Sequence, residues 1–217
     1  MHGYLSNKES FSYQIEYFSR FFRVIAIDIT SFGDSKKLPF AYSLDDYALD
    51  IKKVIKTLNL TSYHLLAHSF GGRIALKLAS ENIGVNKLVL TGSAGLKPKR
   101  SFKYYFKVYL YKIIKRFLSS EVKSKFGSSE YRSLSGYDKE SYYKIVNEYL
   151  DGYLNKIENN TLIVFGGNDL ETPPYMAKKL NKGIKNSSLY FIKGAGHFCF
   201  LEKPVEFNLI VNEFLRG

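Results

Sequence analysis

Apolar residues along this chain follow two periodicities. Short runs rich in Val, Ile, Leu and Phe occur at Val24–Ile27, Tyr63–Ala67, Lys87–Leu90, Thr161–Phe165 and Ser188–Ile192. Each has the length and composition of a buried strand. Between them apolar positions recur at helical spacing. Leu44, Tyr47, Ala48, Ile51, Ile55 and Leu58 form one stripe, introduced by Ser43-Leu44-Asp45-Asp46, which reads as a capping box. A second helix is predicted from Phe70 to Ala79, packed through Ile74, Leu76, Leu78 and Ala79. Strands alternating with helices imply a parallel sheet, hence an α/β fold. The alternation breaks once, between Gly95 and about Asn155.

The punctuation at the strand ends carries the chemistry. The Tyr63–Ala67 run leads into Ala67-His68-Ser69-Phe70-Gly71-Gly72, an Ala-x-Ser-x-Gly variant of the nucleophile elbow. Such a turn lifts the serine clear of the sheet and leaves the next N–H, that of Phe70, at a helix N-terminus. The Thr161–Phe165 run ends in Gly166-Gly167-Asn168-Asp169, and the Ser188–Ile192 run in Gly194-Ala195-Gly196-His197. Taken singly, Ser69 reads as a helix cap, Asp169 as a turn carboxylate and His197 as a loop histidine. Together, in the order Ser69, Asp169, His197 and each just past a strand end, they match a nucleophile, its orienting acid and its base. The rivals are fewer. His68 occupies the variable elbow position, His64 lies inside a strand, and Asp28 ends the Val24–Ile27 strand upstream of the serine.

With these residues in place the chain resembles the α/β-hydrolase superfamily, in its esterase, lipase, haloperoxidase and meta-cleavage hydrolase branch. Further matching segments are His2-Gly3-Tyr4, Arg23 to Asp28, Ser31 to Ser35, Lys87 to Leu90, and Gly194 to Phe198 followed by Glu202-Lys203-Pro204. The resemblance implies Ser69 as nucleophile, His197 as base and Asp169 as acid. It implies His2-Gly3 as the oxyanion loop, with the backbone N–H groups of Phe70 and Tyr4 as the oxyanion hole and His2 in a structural role. It implies an α/β-hydrolase core over 1–95 and 156–217 with a helical cap over 96–155, inserted after the Leu88–Leu90 strand. The family places strands ahead of the His-Gly loop, and this chain begins at the loop. The first strands of a mostly parallel sheet are therefore expected to be missing. The gap should lie between the Asp28 strand and the Ser69 strand, either left open in an incomplete product or closed up by the sheet; we read it as incompleteness.

Composition refines the picture only where it is uneven. The chain has 217 residues, one cysteine (Cys199) and a net charge of +12. That length suits one domain with a sizeable core. A lone cysteine excludes an internal disulfide and fits a reducing, cytoplasmic setting. No run approaches the roughly 18 apolar residues of a membrane span, no signal peptide stands out, and no metal-ligand spacing is present, so no metal or cofactor is expected. Much of the charge sits in the insertion, where ten Lys/Arg between Lys97 and Lys125 face one acid, Glu121. Phe102, Tyr105, Phe106, Tyr109, Leu110, Ile113, Ile114, Phe117 and Leu118 recur there at helical steps. The favoured reading is a cap helix from Lys99 to Leu118 whose Phe102, Tyr105, Phe106 and Tyr109 contact substrate. Attachment to an anionic membrane surface comes second, and nucleic-acid binding is not expected. The function expected is a serine hydrolase for a small to medium, largely apolar acyl substrate, a carboxylic ester foremost. A carbon–carbon hydrolase on the same residues and a non-catalytic binding protein of the same fold are the alternatives.

Overall fold

The computed structural model describes residues 1–99 and 132–217. Phe102, Tyr105, Phe106 and Tyr109, and with them the basic amphipathic helix, lie outside the described residues.

After a short 3₁₀ turn at Lys8–Phe11 come α1 (Ser12–Phe18), α2 (Leu44–Thr57), β1 (Tyr63–His68), α3 (Phe70–Ser80) and β2 (Val85–Thr91). Then follow α4 (Gly136–Asn147), a 3₁₀ turn at Asp151–Lys156, β3 (Asn160–Gly166), α5 (Pro174–Gly183), β4 (Ser187–Ile192), α6 (Cys199–Glu202) and α7 (Pro204–Arg216). The strands pair in the order β1-β2-β3-β4, all parallel. The capping box at α2 forms as the sequence indicates. Ser43 Oγ accepts from the Asp46 N–H, and Asp46 Oδ2 accepts from the Ser43 N–H at 2.7 Å.

Alternate strand residues face opposite layers. Leu88, Leu90, Ile163 and Phe165 enter one core with α2, α3 and α5, while Val89, Leu162 and Val164 enter another with Phe18 of α1 and Phe207 and Val211 of α7. Burial on both faces explains why these strands read as continuous apolar runs. Register keeps the C-terminal ends level. His68 lies beside Thr91, Thr91 beside Val164, and Val164 beside Tyr190. The loops after β1, β3 and β4 therefore open on one edge of the sheet.

One predicted strand does not form. Val24–Ile27 carries no ladder, and Ile25 and Ala26 are exposed. Strand character needs a neighbour. Here the neighbouring position is a cavity of about 480 Å³, bounded by Phe22 to Ile27 on one side and by Tyr63 to Leu66 of β1 on the other. The sheet has not closed across this gap. Among the described residues Met1 hydrogen-bonds to β1 from that side: its amine donates to the Leu66 carbonyl at 2.7 Å, and the His68 N–H donates to the Met1 carbonyl at 3.0 Å. That is the hydrogen-bond pattern of a parallel strand one residue long. Burial lowers the Met1 amine from 8.0 to about 5. Among the described residues no helix is long and apolar enough to cross a membrane.

Candidate active site

Ser69 sits between the end of β1 and the first residue of α3, with φ 50° and ψ −109°. A side chain at positive φ stores about 1–3 kcal/mol of strain, which the surroundings must hold. They do so through the backbone: the Ser69 N–H donates to Thr91 O (3.1 Å), and the N–H groups of Gly72 and Ala94 donate to Ser69 O (3.0 and 3.1 Å). The Phe70 N–H opens the helix and has no partner within it.

Asp169 lies in the loop after β3 and His197 in the loop after β4. Their meeting depends on close backbone approach. A Cβ on Gly166 would collide with the carbonyl oxygens of Ala195 and Gly196, so only glycine lets the two loops cross. His197 Nδ1 is 2.9 Å from Asp169 Oδ2. A carboxylate only accepts, so Nδ1 carries the proton. Asp169 is 1% exposed. Its other bonds come from the N–H groups of Glu171 (2.9 Å) and Thr172 (2.8 Å) to Oδ1, and from the Thr172 hydroxyl to Oδ2 (2.8 Å). Burial disfavours its charge, but the bonds from His197 and Thr172 outweigh that and hold its pKa below the usual carboxylate value.

Ser69, His197, Tyr4 and Phe70 line one cavity of about 500 Å³ with Arg73, Ala94, Tyr142, Ile145, Val146, Glu171 and Thr172. The Ser69 hydroxyl has no hydrogen-bond partner among the described residues. At the second nitrogen of His197, where a base would meet its nucleophile, the structure has Glu171: its Oε2 is 3.4 Å from Nε2. The carboxylate is the stronger partner for a ring nitrogen that bears a proton.

The His2-Gly3-Tyr4 segment borders the site. The His2 ring is fully buried, with Nδ1 2.7 Å from Gly3 O, while Nε2 accepts from the Ile29 N–H at 3.0 Å. Burial foremost lowers its pKa and keeps it neutral. The Gly71 N–H donates to His2 O at 3.0 Å, tying the segment to α3. Tyr4 packs edge-on against Phe70, Phe32 and Tyr142, and its hydroxyl donates to Asp138 O at 3.3 Å. Residues of α4 roof the cavity. Arg73 of α3 fastens that roof, donating from Nη1 to the carbonyls of Ile145 and Glu148, both at 2.8 Å. Burial lowers Arg73 to about 10, so it stays charged near neutrality.

This arrangement can polarise and orient one imidazole beside a strained serine and a helix N-terminus, which is equipment for acyl transfer. Residues 1–204 match the family model described as the alpha/beta hydrolase fold. The chain belongs to the α/β-hydrolase family. It is 28% identical over 239 residues to the AB hydrolase superfamily protein YisY of Bacillus subtilis, covering 99% of this chain and 89% of that one. It is 28% identical over 242 residues to a pimeloyl-[acyl-carrier protein] methyl ester esterase of Neisseria meningitidis, covering 100% and 76%. Among solved structures, the esterase EaEST from Exiguobacterium antarcticum superposes with a TM-score of 0.79 at 26% identity, covering 100% of this chain and 90% of that one. Members of this hydrolase family are enzymes, esterases among them.

Three site residues escaped the sequence reading of this α/β hydrolase. Thr172 and Glu171 flank Asp169 in its own loop, but nothing in Leu170-Glu171-Thr172-Pro173 says which side chain turns inward. His68 packs its ring 4.6 Å from that of His197, and its Nε2 lies 3.1 Å from His197 O. Burial foremost, then the His197 charge, takes His68 down to about 3. It is a neutral support beneath the His197 loop. Among the described residues no group of three or more His, Cys, Asp or Glu side chains is placed to hold a metal ion.

Proposed function

We propose that this chain is a serine hydrolase that cleaves a largely apolar carboxylic ester of small to medium size. Ser69 is the nucleophile, His197 the general base and Asp169 its orienting acid. The observation that carries this reading is the convergence of three loops on one cavity: the strained Ser69 turn, the Asp169–His197 pair at 2.9 Å, and the helix-start N–H of Phe70, which has no partner among the described residues. The esterases among the relatives favour an ester over a carbon–carbon bond as the substrate.

In the reaction His197 turns Nε2 toward Ser69 and takes its proton as the hydroxyl attacks the ester carbonyl. The buried Asp169 holds the ring and stabilises the imidazolium. Negative charge on the carbonyl oxygen collects at the N–H of Phe70, with that of Tyr4 as the second donor. His197 then protonates the departing alcohol. Water, deprotonated by the same ring, releases the acid from the acyl-Ser69 intermediate. The apolar Phe70, Ala94, Ile145 and Val146 around the cavity suit a hydrocarbon acyl chain.

The test is labelling of the chain with a fluorophosphonate, followed by Ser69→Ala. Label on Ser69, with ester turnover lost by several orders of magnitude in the variant, supports the proposal. An unlabelled wild type, or a variant with near-normal turnover, refutes it.

A further inference from the structure

Glu171 takes no part in the reaction as written above, yet it holds the nitrogen on which that reaction depends. Its Oε2 lies 3.4 Å from His197 Nε2. Its own N–H is bonded to Asp169 Oδ1 at 2.9 Å, so the residue is carried by the loop that carries the acid. The two ends of the imidazole thus face two different carboxylates, Asp169 buried and Glu171 at the mouth of the cavity. The Glu171 side chain is 62% exposed, against 6% for His197.

The chemistry of this contact is one-sided. With the Nδ1 proton pointed at Asp169, a neutral ring presents a lone pair at Nε2, and a carboxylate offers it nothing to bond. A protonated ring presents an N–H there, and the same carboxylate becomes an ion-pair partner. Glu171 therefore favours the form of His197 that cannot act as a base. It stands at the nitrogen that the proposed reaction needs for Ser69, in the cavity that Ser69 also lines, and the Ser69 hydroxyl has no partner among the described residues.

We propose that Glu171 is a positioning residue that gates the base. In the unliganded site it pairs with protonated His197 and holds Nε2 away from Ser69, and it swings into solvent when substrate fills the cavity. This rests on the serine-hydrolase reading for its consequences in turnover, but not for the contact itself. The other titratable groups facing the ring among the described residues are Asp169 on the β3 loop, neutral His68 at the end of β1, and Arg73 across the cavity on α3. Of these, Asp169 also favours protonation, and Arg73, held by two carbonyls, opposes it. None lies at Nε2.

The experiment compares Glu171→Gln and Glu171→Asp with wild type at low ionic strength, reading kcat/KM against pH for a neutral ester. In Glu171→Gln the acid limb should move to lower pH, by an amount equal to about a 1.5- to 5-fold change in the ionisation constant, the range for a partly exposed ion pair. Glu171→Asp, which keeps the charge, should lie between the two. The difference should shrink in 1 M salt, where the Debye length is about 3 Å. A merely structural role would lower rates without moving the limb. Superimposable limbs in the three proteins at low salt overturn the proposal. If the wild type neither turns over ester nor takes the phosphonate label, the hydrolase reading has failed, and NMR titration of the His197 ring decides the gate. A ring that titrates at lower pH in Glu171→Gln supports the pairing, and coincident titrations overturn it.

Discussion

Gly71→Ala sets two physical effects against each other. Gly71 lies in the first turn of α3, and helix propensity alone favours alanine there by about 1 kcal/mol. The surroundings oppose it. A Cβ at Gly71 would sit 2.6 Å from the Met1 carbonyl oxygen and 2.7 Å from that of His2. Both obstacles are backbone, and neither can rotate away. The Met1–His2 segment must shift, at an overpacking cost of about 1–3 kcal/mol. The shift breaks or weakens two backbone hydrogen bonds, Gly71 N–H to His2 O and His68 N–H to Met1 O, each 3.0 Å long and each worth about 1 kcal/mol. The sum is about 3–5 kcal/mol, less the propensity gain. Net destabilisation should therefore be about 2–4 kcal/mol, or roughly 4–16 °C in Tm for a domain of this size. Gly152→Ala is the matched control, because nothing lies within 4 Å of a Cβ there. It should be neutral or slightly stabilising. Chemical denaturation of both variants measures the difference. The displaced segment also carries Tyr4, the proposed second oxyanion donor, so ester turnover in Gly71→Ala should fall by about 10²–10³, the usual cost of one lost donor. A Gly71→Ala protein as stable as wild type would show that the His2 loop is not seated against α3, and the reasoning would fail.

Two further outcomes are expected. Asp169→Asn leaves acceptors for the N–H groups of Glu171 and Thr172 but turns an amide toward His197 Nδ1, so the ring adopts the wrong tautomer; kcat should drop by about 10⁴ as in well-studied triads, with circular dichroism unchanged, and a loss under tenfold would remove Asp169 from the mechanism. Stability should fall as pH drops from 8 to 5, because the Met1 amine is lowered from 8.0 to about 5 in the folded chain and the unfolded chain therefore binds the extra proton. The effect is at most about 4 kcal/mol across three pH units, and acetylating the amine, which keeps one N–H for Leu66, should flatten the slope. Equal stability at pH 8 and pH 5 would show that the amine is solvated.

What the sequence disclosed, it disclosed through local rules. The Ser43 capping box, the apolar runs of β1 to β4 and the small residues after each strand all act over a few residues, and each has its counterpart in the fold. The failures are non-local. Val24–Ile27 has strand composition, but pairing is a property of two segments, and among the described residues no strand lies beside it across the cavity. Glu171 and Thr172 sit in one short loop, and which of them meets Asp169 and which meets Nε2 is decided by how that loop lies over His197. His68 passes as a variable elbow position until the β4 loop is folded over it. In each case tertiary packing, which local sequence does not record, chose the partner.

The same packing ties the empty slot to the candidate site. Among the described residues Met1 is the one that pairs with β1 on its open side, and the next residue is His2. Its ring spans from Gly3 O to the Ile29 N–H, and its carbonyl receives the Gly71 N–H. The segment that edges the sheet is therefore the segment that aims Tyr4 at the cavity. On the β1 and α3 side it is held by three backbone hydrogen bonds from or to Leu66, His68 and Gly71. On the far side, where a paired strand would continue, it has the Ile29 contact and then the cavity of about 480 Å³. Support from one side fixes position along β1 but leaves rotation about it weakly opposed. Of the two proposed oxyanion donors, the Phe70 N–H, locked at the start of α3, does not depend on that slot for its place. The N–H of Tyr4 is the one that does.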